Sequence, residues 1–140
     1  MSRSQSREEA FKLLYSMKFI NDSDANEQIK LFIETDEIKD GDTIKYITDT
    51  VEGVYKNHEN IEKQIAENIK EDWSISRISK IDLTLLELGI FEMLYSKLPY
   101  KVVINEVVEL SKKYGDDNSK GFVNGVLASI VKKNNIVDED

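Results

Sequence analysis

Residues 77–95 read RISKIDLTLLELGIFEMLY. Ile78, Ile81, Leu85, Leu88 and Phe91 recur every three or four positions along one side of a helix, and Leu86, Ile90 and Leu94 occupy flanking positions. A helix apolar over so wide an arc must be buried on several sides. The stretch therefore predicts a central helix from Arg77 to Tyr95 with the rest of the fold assembled around it.

Working outward toward the N-terminus, Ala10, Leu13, Leu14 and Met17 form one helical stripe with Phe11 and Tyr15 beside it, and Asn21-Asp22 ends that element. Ile29, Phe32 and Ile33 predict a short second helix. Ile44, Ile47, Val51, Val54 and Tyr55 predict a third, and Ile61, Ile65 and Ile69 a fourth. On the other side Pro99, the only proline, breaks the pattern. Ile104, Val107, Val108 and Ser111 resume it, so Val102-Val103-Ile104 reads as helix despite its strand-like composition. Gly115 fits a helix C-cap and Ser119 an N-cap for a last helix, in which Phe122, Val126 and Ile130 align beside Val123 and Leu127.

The expectation is an all-α domain of about seven helices over residues 1–140. Asp72-Trp73-Ser74 would join an N-terminal helical subdomain of about 1–72 to a C-terminal one of about 73–134, and the VDED tail would fray.

A 140-residue chain with 40% hydrophobic and 33% charged residues suits one core. There is no cysteine, so disulfides, thiolate metal sites and thiol nucleophiles are excluded. The opening MSRSQSREEAF lacks the apolar core of a signal peptide, and no apolar run approaches the roughly 20 residues of a membrane span. A cytoplasmic protein with no membrane association is expected.

The net charge of -8 opposes nucleic-acid binding on average, but its distribution is uneven. Residues 1–20 carry four basic and two acidic side chains, residues 97–133 seven and four, while residues 21–72 carry six and fifteen. Two positive segments on an acidic chain are the pattern that matters for binding.

Catalytic chemistry finds no footing. His58 sits among Lys56, Asn57, Glu59 and Asn60 with no second ligand and reads as a solvated helix-end residue. No HExxH, GxSxG or GxGxxG occurs, and Gly115 with Lys120-Gly121 has the wrong order for a P-loop. Asp116-Asp117 and Glu8-Glu9 read as solvated charge pairs. We expect no enzyme activity, no catalytic residues, no metal and no cofactor.

Residues 114–124, YGDDNSKGFVN, are more informative. A helix start offers free N–H groups and a positive dipole end to an anion, Lys120 adds charge, and Gly121 permits close approach. Tyr114 and Phe122 are of a type that stacks on unpaired bases. The competing reading makes Gly115 a helix stop and Phe122 a core residue. Near the N-terminus, Arg3 and Arg7 lie one helical turn apart and, with Lys12, are placed to track a phosphate backbone. Composition and spacing leave an RNA-binding module and a protein-interaction helical domain both open.

The run Pro99-Tyr-Lys-Val-Val-Ile-Asn-Glu-Val-Val-Glu-Leu-Ser-Lys-Lys-Tyr-Gly115, followed by Phe122-Val-Asn-Gly-Val-Leu127, closely resembles the C-terminal signature of the NusB family. Arg7, Ala10 and Leu14-Tyr15 in the first helix extend the resemblance, as do Trp73 with Arg77-Ile78 and Asp82, and Leu86-Glu-Leu-Gly-Ile-Phe-Glu92. It covers nearly the whole chain, with residues 22–72 matching only in helical pattern.

The resemblance implies two packed helical subdomains and a role in antitermination during ribosomal RNA transcription. Family members pair with NusE, a small-subunit ribosomal protein, bind the boxA element of the nascent RNA and join the transcription elongation complex with RNA polymerase. Carried over by position, Arg3, Arg7, Tyr114, Asn118, Lys120 and Phe122 would face RNA, and Tyr15 and Asp82 would face NusE. The chain departs from the family where Glu8-Glu9 follow Arg7, where Gly121 replaces the usual lysine before the aromatic, and at Ala128. Two other readings come with the resemblance: a homodimeric scaffold without specific RNA binding, since some members self-associate, and a stand-alone relative of the RNA-binding module of a ribosomal RNA methyltransferase.

Overall fold

The computed structural model describes residues 1–20 and 24–138, which contain seven α-helices, one 3-10 turn and no strand. None of these helices is long and apolar enough to cross a membrane. The expected end of the first helix at Asn21-Asp22 lies outside the described residues. Contacts divide the chain into two units, Met1–Lys56 and Asn57–Asp140. The expected joint at Asp72-Trp73-Ser74 therefore lies inside the second unit, because the fourth helix packs against the fifth.

In the first unit α1 spans Arg3–Met17, α2 Ala25–Thr35 and α3 Gly41–Lys56, and α3 packs against both others. The start of α1 is fixed by a capping box: Gln5 N–H donates to Ser2 Oγ at 3.1 Å and Ser2 N–H donates to Gln5 Oε1 at 2.8 Å. Asp24 caps α2 by accepting from Asn26 N–H at 2.9 Å. Ala10, Phe11, Leu13, Leu14 and Met17 of α1 are buried, as are Ile29, Ile47, Val51 and Val54. Tyr55 departs from the expected stripe and is 42% exposed.

In the first turn of α3, Thr43 Oγ1 donates to Asp40 Oδ2 at 2.6 Å and lies 3.2 Å from Ser6 Oγ of α1. The Thr43 hydroxyl holds the Asp40 carboxyl below the usual carboxylate range against the opposing effect of desolvation, and the N-terminal ammonium, 3.8 Å away, adds to the lowering.

The second unit comprises α4 (His58–Ala66), a 3-10 turn at Ile75–Arg77, α5 (Lys80–Leu94), α6 (Tyr100–Tyr114) and α7 (Ser119–Lys133). The central helix is α5, which packs against α4, α6 and α7. It is shorter than residues 77–95 because Ile78 is extended and Ser79 caps the helix, accepting from Asp82 N–H at 3.1 Å. Leu85, Leu86, Leu88, Ile90, Phe91 and Met93 are buried around its circumference. At Gly89 a Cβ would stand 3.0 Å from Leu127 Cδ1 and 3.5 Å from Val107 Cγ2, so the glycine is what lets α6 and α7 come this close. Ile69 lies beyond the end of α4, which stops at Ala66.

Two of the expectations about helix ends change. Gly115 is the C-cap of α6, as expected, with an extended backbone (φ -89°) rather than a left-handed one. Glycine fits there because a Cβ would collide with the Ser119 side chain and stand 2.8 Å from Ser111 O. Ser119 is the first residue of α7 and not its N-cap; Asn118 holds the cap position, and the Ser119 hydroxyl instead accepts from Asp116 N–H at 3.0 Å. The tail is tied down through Asp138. Asn135 adopts φ 52° and Ile136 N–H donates to Val131 O at 3.0 Å, which ends α7 in a Schellman turn. Asp138 Oδ1 then accepts from Tyr100 N–H at 2.7 Å.

Candidate nucleic-acid interface

The turn between α6 and α7 and the helix ends that flank it carry four of the residues expected to face RNA. Tyr114 is half-buried at the end of α6, with Lys113 Nζ 5.5 Å from its ring centroid. Asn118 is exposed, and its N–H donates to Asp116 Oδ1 at 2.9 Å. The same carboxylate oxygen lies 3.3 Å from the Ser119 hydroxyl. Asp116 thus places negative charge at the positive end of α7 and competes with any external anion for that terminus. Lys120 and Gly121 are exposed just beyond it.

Phe122 resolves the two readings of its ring into an intermediate one. It is half-buried, and its ring centroid lies 6.1 Å from that of Trp73 at an interplanar angle of 32°. Val123, Val126, Leu127 and Ile130 carry the buried face of α7. Phe122 and Trp73 border an open groove of about 300 Å³, walled by Asn68 and Lys70 on one side and Gly121, Gly125 and Val126 on the other. Trp73 is 43% exposed. In the sequence Trp73 stands out as a family landmark and as part of the Asp72-Trp73-Ser74 joint, and a lone tryptophan in the polar setting Glu71-Asp-Trp-Ser74 is itself a signal of an exposed aromatic.

The remaining RNA candidates belong to the first unit and differ from each other. Arg3 is exposed at the start of α1, its guanidinium carbon 4.4 Å from the Tyr46 ring centroid. That contact preorganises the cation without hiding it. Arg7 is 2% exposed. The expected two-arginine ladder is therefore not a surface feature, because a phosphate needs a guanidinium that water can reach. Lys12 is half-buried and pairs with Glu9 at 3.0 Å.

Of the residues expected to face a protein partner, Tyr15 is half-buried and sits between Phe11 (centroids 6.2 Å apart, stacked) and Phe19 (5.1 Å, edge-on). Phe19 is 61% exposed, an apolar surface residue that the stripe analysis passed over because it follows the helix. Asp82 lies in the first turn of α5. It is half-buried rather than on a fully exposed stripe, and its Oδ1 is buried with no hydrogen-bond partner among the described residues.

His58 opens α4 and pairs with Glu62 across one turn at 3.1 Å, both side chains about half exposed, as a solvated helix-end residue does. Among the described residues no group of three His, Cys, Asp or Glu side chains is placed to hold a metal ion.

Residues 4–132 match the model of the NusB family. The chain is 44% identical over 134 residues to the transcription antitermination protein NusB of Clostridium novyi, covering 94% of this chain and 99% of that protein. NusB of T. maritima superposes with a TM-score of 0.85 at 32% identity, covering 95% of this chain and 92% of the other. A NusB solved as a complex of antitermination factors NusB and NusE with double-stranded RNA superposes with a TM-score of 0.84 at 30% identity, over 95% and 99% of the two chains. Family model, full-length identity and fold agree, and the relatives are antitermination proteins rather than enzymes: the chain belongs to the NusB family.

Proposed function

We propose that this chain is a cytoplasmic RNA-binding antitermination factor that pairs with NusE, binds the boxA element of nascent ribosomal RNA transcripts and promotes processive transcription by RNA polymerase. The observation that carries the reading is the exposed cation and half-exposed aromatic at the start of α7, Lys120 and Phe122, beside an open groove. The pairing of a 30% identical relative with NusE and RNA supports it. Tyr114, Asn118 and Arg3 are assigned to the RNA face, with phosphate contacts at Arg3 and Lys120 and stacking at Phe122. Arg7, being buried, is assigned to holding α1 in place. Tyr15 with Phe19, and Asp82, are assigned to NusE.

An acidic protein of net charge -8 meets RNA at an electrostatic disadvantage, and a basic ribosomal protein relieves it. The test is titration of boxA RNA and a scrambled control with and without NusE at fixed salt. We expect weak binding alone and tighter, boxA-selective binding with NusE. RNA affinity that saturating NusE leaves unchanged removes the cooperative complex, since coupling between two ligands is reciprocal. Binding to neither RNA, together with self-association, leaves the homodimeric scaffold.

A further inference from the structure

The groove bordered by Trp73 and Phe122 is unfilled by any side chain among the described residues, and the contacts assigned above use the Phe122 ring but not Trp73. We propose that the groove completes the stacking site at Phe122, with Trp73 and Phe122 together holding one unpaired RNA base; the proposal rests on the RNA-binding reading.

Four features of the groove fix the occupant. The ring of Trp73, 43% exposed, and the half-buried ring of Phe122 offer apolar faces to a planar group. Gly121 and Gly125, one helical turn apart, leave the wall of α7 open, with nothing within 4 Å of where a Cβ would stand at either position. A volume of about 300 Å³ lies at the small end of ligand sites and suits a single ring system. Lys70 lines the groove, while Glu71 and Asp72 follow it in the chain, so the local charge favours a neutral heterocycle over a free anion and leaves Lys70 to meet the attached phosphate.

The site also predicts what it does not read. Asn68 is the groove's one side-chain amide, and both its polar atoms already make one bond each within the protein: its Nδ2 donates to Gln64 O at 2.7 Å and its Oδ1 accepts from Ser129 Oγ at 2.6 Å. With one donor and one acceptor site of that amide engaged, binding comes chiefly from stacking, which every base supports, rather than from hydrogen bonds to a base edge.

Trp73 is the only tryptophan in the chain, so its emission reports on the groove directly. The experiment follows both Trp73 emission and the anisotropy of end-labelled single-stranded boxA RNA during titration of the full-length protein. A Trp73→Phe control assigns the emission, and RNAs with one abasic nucleotide at each position in turn locate the stacked base. We expect RNA to quench Trp73, one abasic position to abolish the quenching, and base identity at that position to matter little. Trp73→Leu should weaken binding about 5- to 150-fold, the range of one base–aromatic stack.

Gly125→Leu separates binding from folding. It plugs the groove from an open helix position, so it should raise the melting temperature, because glycine is a poor residue in a helix interior, yet weaken RNA binding. If RNA binds while Trp73 emission is unchanged and Gly125→Leu binds as the wild type does, the groove is empty in the complex and the subsite is overturned with the RNA reading intact. If the wild type binds no RNA even with NusE, the RNA reading fails and the subsite with it.

Discussion

The Asp138 carboxylate accepts a hydrogen bond from the Tyr100 backbone N–H at 2.7 Å, joining the C-terminal tail to the start of α6 across 38 positions of sequence. Pro99 occupies the N-cap of α6 and has no side chain able to accept that bond. The tail supplies from a distance what the helix lacks locally. Asp138→Ala should therefore cost about 1 kcal/mol, as loss of an N-cap does, and lower the melting temperature by roughly 3–5 °C. Thermal unfolding followed by circular dichroism checks this, and an unchanged melting temperature means the tail bond adds nothing in solution.

Phe122→Leu and Lys120→Gln separate stacking from charge at α7. Leucine keeps most of the apolar volume, so the half-buried ring should be replaced with a small stability loss. The RNA complex formed with NusE should weaken by about 1–3 kcal/mol with little change in salt dependence. Lys120→Gln should instead reduce the slope of log affinity against log salt by about one counterion. If Phe122→Leu lowers the melting temperature yet binds boxA RNA normally with NusE present, Phe122 serves the core and the RNA face lies elsewhere.

Asp82→Lys should weaken NusE binding while α5 still forms. The structure adds a stability cost to that substitution: an acid in the first turn complements the helix dipole, and reversing it costs on the order of 0.3–1 kcal/mol. Asp82→Asn preserves the shape and removes only the charge, so it isolates the partner effect. Loss of NusE affinity in both variants, measured by calorimetry, supports a carboxylate contact. Wild-type affinity in Asp82→Asn with an intact circular dichroism spectrum reduces Asp82 to a residue of the helix start.

Asp40 has a folded-state pKa below its ordinary value of 3.8, chiefly through the Thr43 hydroxyl. A depressed carboxyl pKa contributes stability that is fully present above the unfolded value and is lost as the pH falls through the folded one. Asp40→Asn should thus be less stable than the wild type near neutral pH, and the gap should close as the pH drops below 3.8. Denaturant unfolding at several pH values tests the closure. A gap that stays constant down to the acid limit means the charge of Asp40 has no part in it.

Several features of the chain were legible in its residues alone. Apolar spacing located the seven helices of the described residues, because a helix that must bury one face writes that need into positions three and four apart. The breadth of the apolar arc in residues 77–95 identified the central helix, and the segments rich in lysine and arginine pointed to Arg3 and Lys120, both of which are exposed. Family membership was legible in the run from Pro99 to Leu127.

What the tertiary structure decided is which side chains remain accessible and which distant groups meet. Arg3 and Arg7 are alike in sequence, yet one is exposed and the other 2% exposed, since burial depends on what packs against a helix rather than on the helix itself. Gly115 is needed for the approach of Ser119 and not for a left-handed turn, a distinction that only the packed turn reveals. Trp73 meets Phe122 from 49 positions away, and Asp138 reaches back to Tyr100. Periodicity encodes which face of a segment is apolar. It carries no information on which partner that face finds, because the partner is set by the packing of the whole unit.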